Sequence, residues 1–492
     1  MSHLPFGAFN PRFHGVSLFV TAERMGRIAG YEAVADPSSW AARSDALSLE
    51  EISTISVLDH ERRHFHDFLV SPFGAVMMGM RMQASLAGLQ AIKLLKQCVG
   101  KWVPAPIGRW IHWDDRQRRD WISTTGEAYG FTLGDVVALP HHPENAPAPH
   151  KSGIHAVADD LPVEEQLAQY ALAATSGYRF MEVLRTKRVD GFGITIAADS
   201  VFEATAHLVQ SQAIYTGQSA QASRLFEEFI ANSDLSHLQA LNTMALALHR
   251  ATGDVSAERI CELFTWMMLG PPDKVLSSGH PAARCGGVLT LLAQQPKNAV
   301  FRARAPTTAI FDALDRIFGE ADWRSNVAAA SAASDRRMAK FDRAAERLDG
   351  GYFDSLFAVA RHWHSDQSAS RSAFVEEPGS LSKPLRYVEE SAYPAPFLEV
   401  RLPAGVHQRS KPVRSERMRA VAVDAEGLQA IGYTCQPPGS HPDGLLDATH
   451  NARITTHVMD LVFQDEPVAD AYDKYWRDVL AGMIGKRVAS LI

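Results

Sequence analysis

Only four cysteines, Cys98, Cys261, Cys285 and Cys435, occur in 492 residues, and none forms a CxxC pair. That excludes a zinc knuckle and a disulfide framework as organising devices. No run approaches 18 consecutive apolar residues, so no membrane span is expected. The start, "MSHLPFGAFNPRFHG", lacks the basic segment and apolar run of a secretory signal. There is no excess of positive charge either: the formal net charge is −7 and the pI is about 6.3. A nucleic-acid partner, which would need a basic face, is not expected. These absences favour a cytoplasmic protein, and nothing in them excludes an oligomer.

Several catalytic signatures are missing too. No GxSxG occurs, so a serine-hydrolase elbow is not expected. "DGFGITIAADS" has two glycines but neither GxGxxG nor a P-loop lysine, which argues against a nucleotide cradle.

What is present is an ordinary globular composition, 46% apolar and 21% charged, enough for a large core. Helical patterns dominate. "VEEQLAQYALAATSGYRFMEVL", "ADSVFEATAHLVQSQAIY", "SRLFEEFIAN", "LQALNTMALALHR", "AERICELFTWMML" and "DRRMAKFDRAAERL" fill the centre without a fixed repeat. "GVSLFV" near the start reads as a strand. So do "LEVRLPAG", "MRAVAVDAEG" and "AIGYTCQPPG" towards the end, before a final helix in "DEPVADAYDKYWRDVLAGMIGKRV". The expected fold is mainly α (α+β), with a large helical body and small β elements near both termini. Linker-like stretches at "ALPHHPENAPAPHKSG" and "FVEEPGSLSKPLRYVEESAYPAPF" suggest three regions, residues 1–150, 151–375 and 376–492. The methionine-rich segment "AVMMGMRMQASLAGLQAIKLLKQCV" reads as a buried helix.

The densest chemistry lies in "SLEEISTISVLDHERRHFHDFLVSPFG". Ser48 and Glu51 have capping-box spacing, and the stop is set by Ser71 before a proline, with Gly74 beyond. One helix over 49–69 is expected. With His60 at zero on a helical wheel, His64 falls at about 40°, Asp67 at about −20° and His66 at about 240°. His60, His64 and Asp67 therefore share a face that His66 leaves.

Residues 60–64 read H-E-R-R-H. Two histidines one turn apart can reach a single ion at about 2.1 Å, and the intervening glutamate lies beside the metal's water. Zinc would bring that water's pKa towards neutrality, and Glu61 would take its proton during attack on a carbonyl. Asp67 is placed to orient a histidine from behind. The competing reading is a solvated polar stripe on an ordinary amphipathic helix.

Zinc that does catalysis takes three protein ligands. Glu203 in "ADSVFEATAHLVQSQ", with His207 on the same face, is the best candidate for the third. Here the chain resembles the gluzincin metallopeptidases, whose third ligand is a glutamate on a helix downstream of HExxH. The resemblance covers two short motifs, and His207 stands where that family often has an acidic residue. It implies a zinc-dependent peptidase acting on peptide or protein substrates, with metal ligands His60, His64 and Glu203 and base Glu61. His207 or Tyr215 is then the candidate for a group that steadies the developing oxyanion. The alternative for Glu203 is a capping box with Ser200. Two other functions fit the same residues. One is a helical-bundle redox protein with iron in place of zinc. The other is a non-catalytic helical interaction protein.

Overall fold

The computed structural model describes residues 6–10, 15–19, 48–142, 160–191, 193–215, 224, 227, 231, 235–253, 255–302, 304–346, 352–390, 393–394, 396–401, 413–414, 419–423, 430–436, 445–463 and 470–491. The fold is mainly α with minor β elements, as the sequence patterns imply. Much of the proline-rich stretch, with His150 and His155, lies outside the described residues, as does most of "SRLFEEFIAN". Among the described residues no helix is long and apolar enough to cross a membrane. Cys98, Cys261 and Cys285 are buried free thiols.

The chain forms two compact units, each drawn from three segments, so the units do not follow the consecutive division that the linkers suggest. The first takes residues 1–77, 184–338 and 361–450; the second takes 78–183, 339–360 and 451–492.

The first unit carries the histidine-rich helix, α1 (Leu49–Val70). Its start is the predicted capping box: Ser48 accepts the Glu51 amide, and Glu51 accepts the Ser48 amide in return. Its stop is Ser71, which is extended ahead of Pro72. The next helix, α2 (Pro72–Leu95), begins at once, with proline in the first position, where its missing N–H costs nothing. Met77, Met78 and Met82 are buried, as their apolar run implies. Gly74 allows the tight junction, because a Cβ there would sit 2.0 Å from the Phe68 carbonyl oxygen.

Three further helices of the first unit follow: α3 (Ala198–Tyr215), α4 (Leu235–Thr252) and α5 (Ala257–Met268). Helix α1 packs along α3, and α3 also packs on α4 and α5. Against α1 lies a six-stranded sheet formed by β1 (Phe6–Asn10), β2 (Gly15–Phe19), β3 (Phe397–Arg401), β4 (Val413–Arg414), β5 (Arg419–Val423) and β6 (Ala430–Gln436). The strand order is β1-β2-β3-β5-β6-β4. Pairings β2–β3, β3–β5 and β4–β6 are parallel; β1–β2 and β5–β6 are antiparallel. Val16, Leu18, Leu398 and Val400 are wholly buried, which fixes the sheet's inner face.

The stretch read as a second linker is packed structure instead. It holds a short turn of helix, Gly379–Ser382, and α6 (Pro384–Glu390). Leu381 and Tyr387 are buried, and the carbonyls of Leu381 and Pro394 accept hydrogen bonds from side chains of α1. Its prolines mark turns, while its apolar residues anchor it.

In the second unit, Trp102–Ala105 pairs in parallel with Arg487–Ser490. Trp102, Phe131, Trp121 and Trp110 form a chain of ring contacts beside that pair, with centroids 4.7, 5.5 and 5.2 Å apart in turn. Arg81 and Asp460 form a buried ion pair at 3.1 Å.

Candidate metal centre

Helix α1 is buried on almost every side; from Ile52 to Val70 only Val57 and Arg62 are partly open. A polar stripe facing water would not look like this. The histidines are enclosed between α1, α3 and the sheet, so their chemistry must be satisfied internally.

His60 and His64 turn their Nε2 atoms towards one point, 3.1 Å apart. Glu203, on α3, meets them there. Its Oε2 lies 3.4 Å from His60 Nε2, and its Oε1 lies 3.3 Å from His64 Nε2. Ligands about 2.1 Å from a tetrahedral ion are separated from each other by about 3.4 Å. The spacings match those edges. Glu203 does not cap its own helix: α3 begins at Ala198, so Ser200 lies inside the first turn, where its hydroxyl accepts the Ala197 amide.

His207 follows Glu203 by one turn. Its Nε2 is 3.5 Å from Glu203 Oε2, and its ring is 4.8 Å from that of His60. His60, Glu203 and His207 alone bring three ligand atoms within 4.8 Å of one another. His64, at 3.1 Å from His60 Nε2 and 3.3 Å from Glu203 Oε1, stands beside these three. The buried Nδ1 of His60 has no hydrogen-bond partner, so ring packing against His64 and His207 fixes its orientation.

Electrostatics follow from this crowding. Burial alone would lower the pKa of His64. The Glu203 carboxylate, with Glu61 and Asp67 adding to it, outweighs burial and lifts the imidazole to about 9. Burial would raise Glu203, but the two histidines hold its carboxyl well below the usual range. In the bare protein the site is a carboxylate clasped by imidazolium. A divalent cation can replace that proton with more charge in the same place.

Glu61 is buried, and it pairs with neither neighbouring arginine: Arg62 reaches Asp59 and Arg63 reaches Asp67. Strand β1 runs over it. A Cβ on Gly7 would lie 2.9 Å from Glu61 Cγ and 3.1 Å from its Oε1. Phe9, two residues on, stacks over His64 with centroids 6.2 Å apart. Sequence reasoning did not find β1. Its five residues, "FGAFN", are flanked by prolines and carry little strand signal beyond alternation.

Asp67 does not orient a histidine. Both its oxygens are 2.9 Å from Arg63 Nε, and Oδ2 also accepts the Thr205 hydroxyl at 2.6 Å. Arg63, fully buried, also donates to the Leu381 carbonyl and to Thr265 Oγ1. The wheel placed Asp67 near the histidine face but could not see the arginine one turn before it. This network ties α1 to α3 and α5, and holds Glu203 two residues from its anchor at Thr205. His66 leaves the face as expected. Its Nε2–H donates to the Pro394 carbonyl at 2.8 Å, and its Nδ1 accepts from the Tyr387 hydroxyl at 3.0 Å. Burial pushes its pKa down to about 3, so it is a neutral structural histidine. Tyr215 ends α3, and its side chain lies outside the described residues.

The outlying histidines are held otherwise. His362 pairs with Asp366, and His364 with Asp335. His141 hydrogen-bonds the Trp113 carbonyl, and His142 lies 3.8 Å from Glu165. No family model, curated protein or solved structure matches the chain.

Proposed function

We propose that this protein is a zinc-dependent hydrolase of peptide bonds, with His60, His64 and Glu203 as metal ligands and Glu61 as the general base. The observation that carries this reading is the placement of Glu203, whose two oxygens face one histidine each at 3.4 and 3.3 Å. A carboxylate 139 residues beyond His64 (203 − 64) has no local reason to be there.

The donor set of two imidazoles and a carboxylate suits zinc. When bound, zinc supplies Lewis acidity, acidifying water and polarising a carbonyl. The protein's own groups do the rest. His60 and His64 fix the position of the attack from one helix. Glu61, buried and free of the arginines, receives a proton from water and passes it to the leaving amine. Its shelter under Gly7 and beside His64 keeps bulk water from competing for that proton. His207 stands at the rim of the set, placed to donate a hydrogen bond to the carbonyl oxygen as charge develops.

One observation favours a second reading. His207 is close enough to Glu203 to serve as a fourth ligand. A site with four protein ligands is closed, as structural sites are, and a metalloprotein without hydrolytic activity, with zinc or iron, would result.

The test is hydrolysis of a mixed peptide library by the zinc-loaded protein and by Glu61→Gln. The expected outcome is cleavage by the wild type, a fall of about 10²–10⁴-fold in the variant, and equal zinc content in both. Zinc-loaded wild type that cleaves nothing, or a variant that cleaves equally well, would contradict the hydrolase reading and leave the closed site.

A further inference from the structure

The helix Tyr352–Glu376 brings Gln367, Ser370 and Arg371 onto one face, at i, i+3 and i+4. All three are at most 2% exposed. Each has a hydrogen-bonding atom sealed from solvent without a partner: Gln367 Nε2, Ser370 Oγ and Arg371 Nη2. The other nitrogens of Arg371 are engaged. Nε donates to the Leu69 carbonyl at 3.1 Å, and Nη1 to Ser334 Oγ at 3.1 Å. The Leu69 carbonyl lies in the last turn of α1, so the guanidinium sits at that helix's negative end.

That partial charge is all the compensation the structure provides at close range. Arg371 forms no ion pair with a carboxylate among the described residues. A second guanidinium, Arg337, stands nearby, donating to the Ala75 carbonyl at 2.9 Å. Burial first, and then this neighbour, depress the pKa of Arg371 to about 10. The nearest opposing charge, Asp335, is 67% exposed and engaged by His364 at 3.1 Å. A buried cation in this state is expensive.

Water answers only part of the problem. A water could accept from the amide nitrogen or the guanidinium and donate to the Ser370 hydroxyl, but it would leave the buried positive charge uncompensated. An anion accepts from every group and neutralises the charge. We propose that Arg371, Ser370 and Gln367 hold a small inorganic anion of the halide class, chloride, at the C-terminal end of the histidine-rich helix. The enclosure of the three atoms favours a single-atom ion over a larger oxyanion. The site pins the last turn of α1, five residues beyond His64. It does not depend on whether a metal is bound.

The test uses the full chain, exchanged into gluconate and titrated with chloride at constant ionic strength. Melting temperature should rise saturably by a few degrees, as binding to the folded state alone requires. Bromide should substitute, giving an anomalous peak within hydrogen-bonding distance of Arg371 Nη2 in crystals. Arg371→Met should abolish the rise. Should that variant not fold, Ser370→Ala is the control, and its chloride midpoint should be several-fold higher. Equal melting in chloride and gluconate with no bromide at Arg371 would overturn the proposal. So would a rise of the same size and midpoint in Ser370→Ala, which would be a general salt effect. A rise with sulfate but not with chloride would overturn the halide assignment.

Discussion

Glu203 sets the charge state of the residues around it. Burial taken alone would push the His64 imidazole below 6.5; the Glu203 carboxylate is the chief group that lifts it to about 9, with Glu61 and Asp67 adding to it. Glu203→Gln keeps the shape and removes the charge. In the metal-free protein, the His64 ring resonances should therefore titrate near pH 9 in the wild type. In the variant their midpoint should fall well below 9, with burial now opposed only by the Glu61 and Asp67 carboxylates. A midpoint unmoved by the substitution, followed by NMR, would mean that another group holds the proton. The same residue shows what the sequence could and could not disclose. HExxH and the Glu203–His207 spacing were readable, because both depend only on helical period. Asp67 was misassigned, because its role depends on Arg63, Thr205 and Thr265, which no periodicity brings together.

Helices α1 and α3 are joined at the site and again behind it. The second joint is the buried set Arg63–Asp67–Thr205, with Arg63 extended to Thr265 on α5. Fully buried ion pairs contribute little net stability while intact, yet breaking one strands a charge. Asp67→Ala is thus expected to cost about 3–5 kcal/mol in unfolding free energy, read by denaturant melts of the metal-free protein. A loss below about 1 kcal/mol would place the pair among those that merely coexist with good packing. The ends of α1 were legible in the chain: Ser48 and Glu51 form their box, and Ser71–Pro72 stops the helix. Its environment was not. The wheel divided α1 into a polar and an apolar side, but the sheet, α3 and α6 together bury both. Likewise "GSLSKPLRYVEE" reads as a linker until Tyr387 and Leu381 are seen under α1.

At the scale of the whole chain, the predominance of helix and the three C-terminal strands follow from composition and alternation. The sheet order does not. Strand β2 near the start pairs with β3 almost 400 residues later, and such long-range pairing leaves no local trace. The two-unit division is hidden for the same reason, since each unit returns to segments far apart in sequence. The metal centre shares that logic: one helix supplies His60 and His64, a distant one supplies Glu203, and only folding brings them together. The most direct test is calorimetric titration of zinc into chelator-stripped wild type and Glu203→Ala. One zinc should bind per chain in the wild type, with affinity weaker by at least about 100-fold in the variant, beyond what loss of a supporting contact alone gives. Wild type that binds no zinc, or a variant that binds it equally well, would rule out Glu203 as a ligand of a zinc centre with His60 and His64.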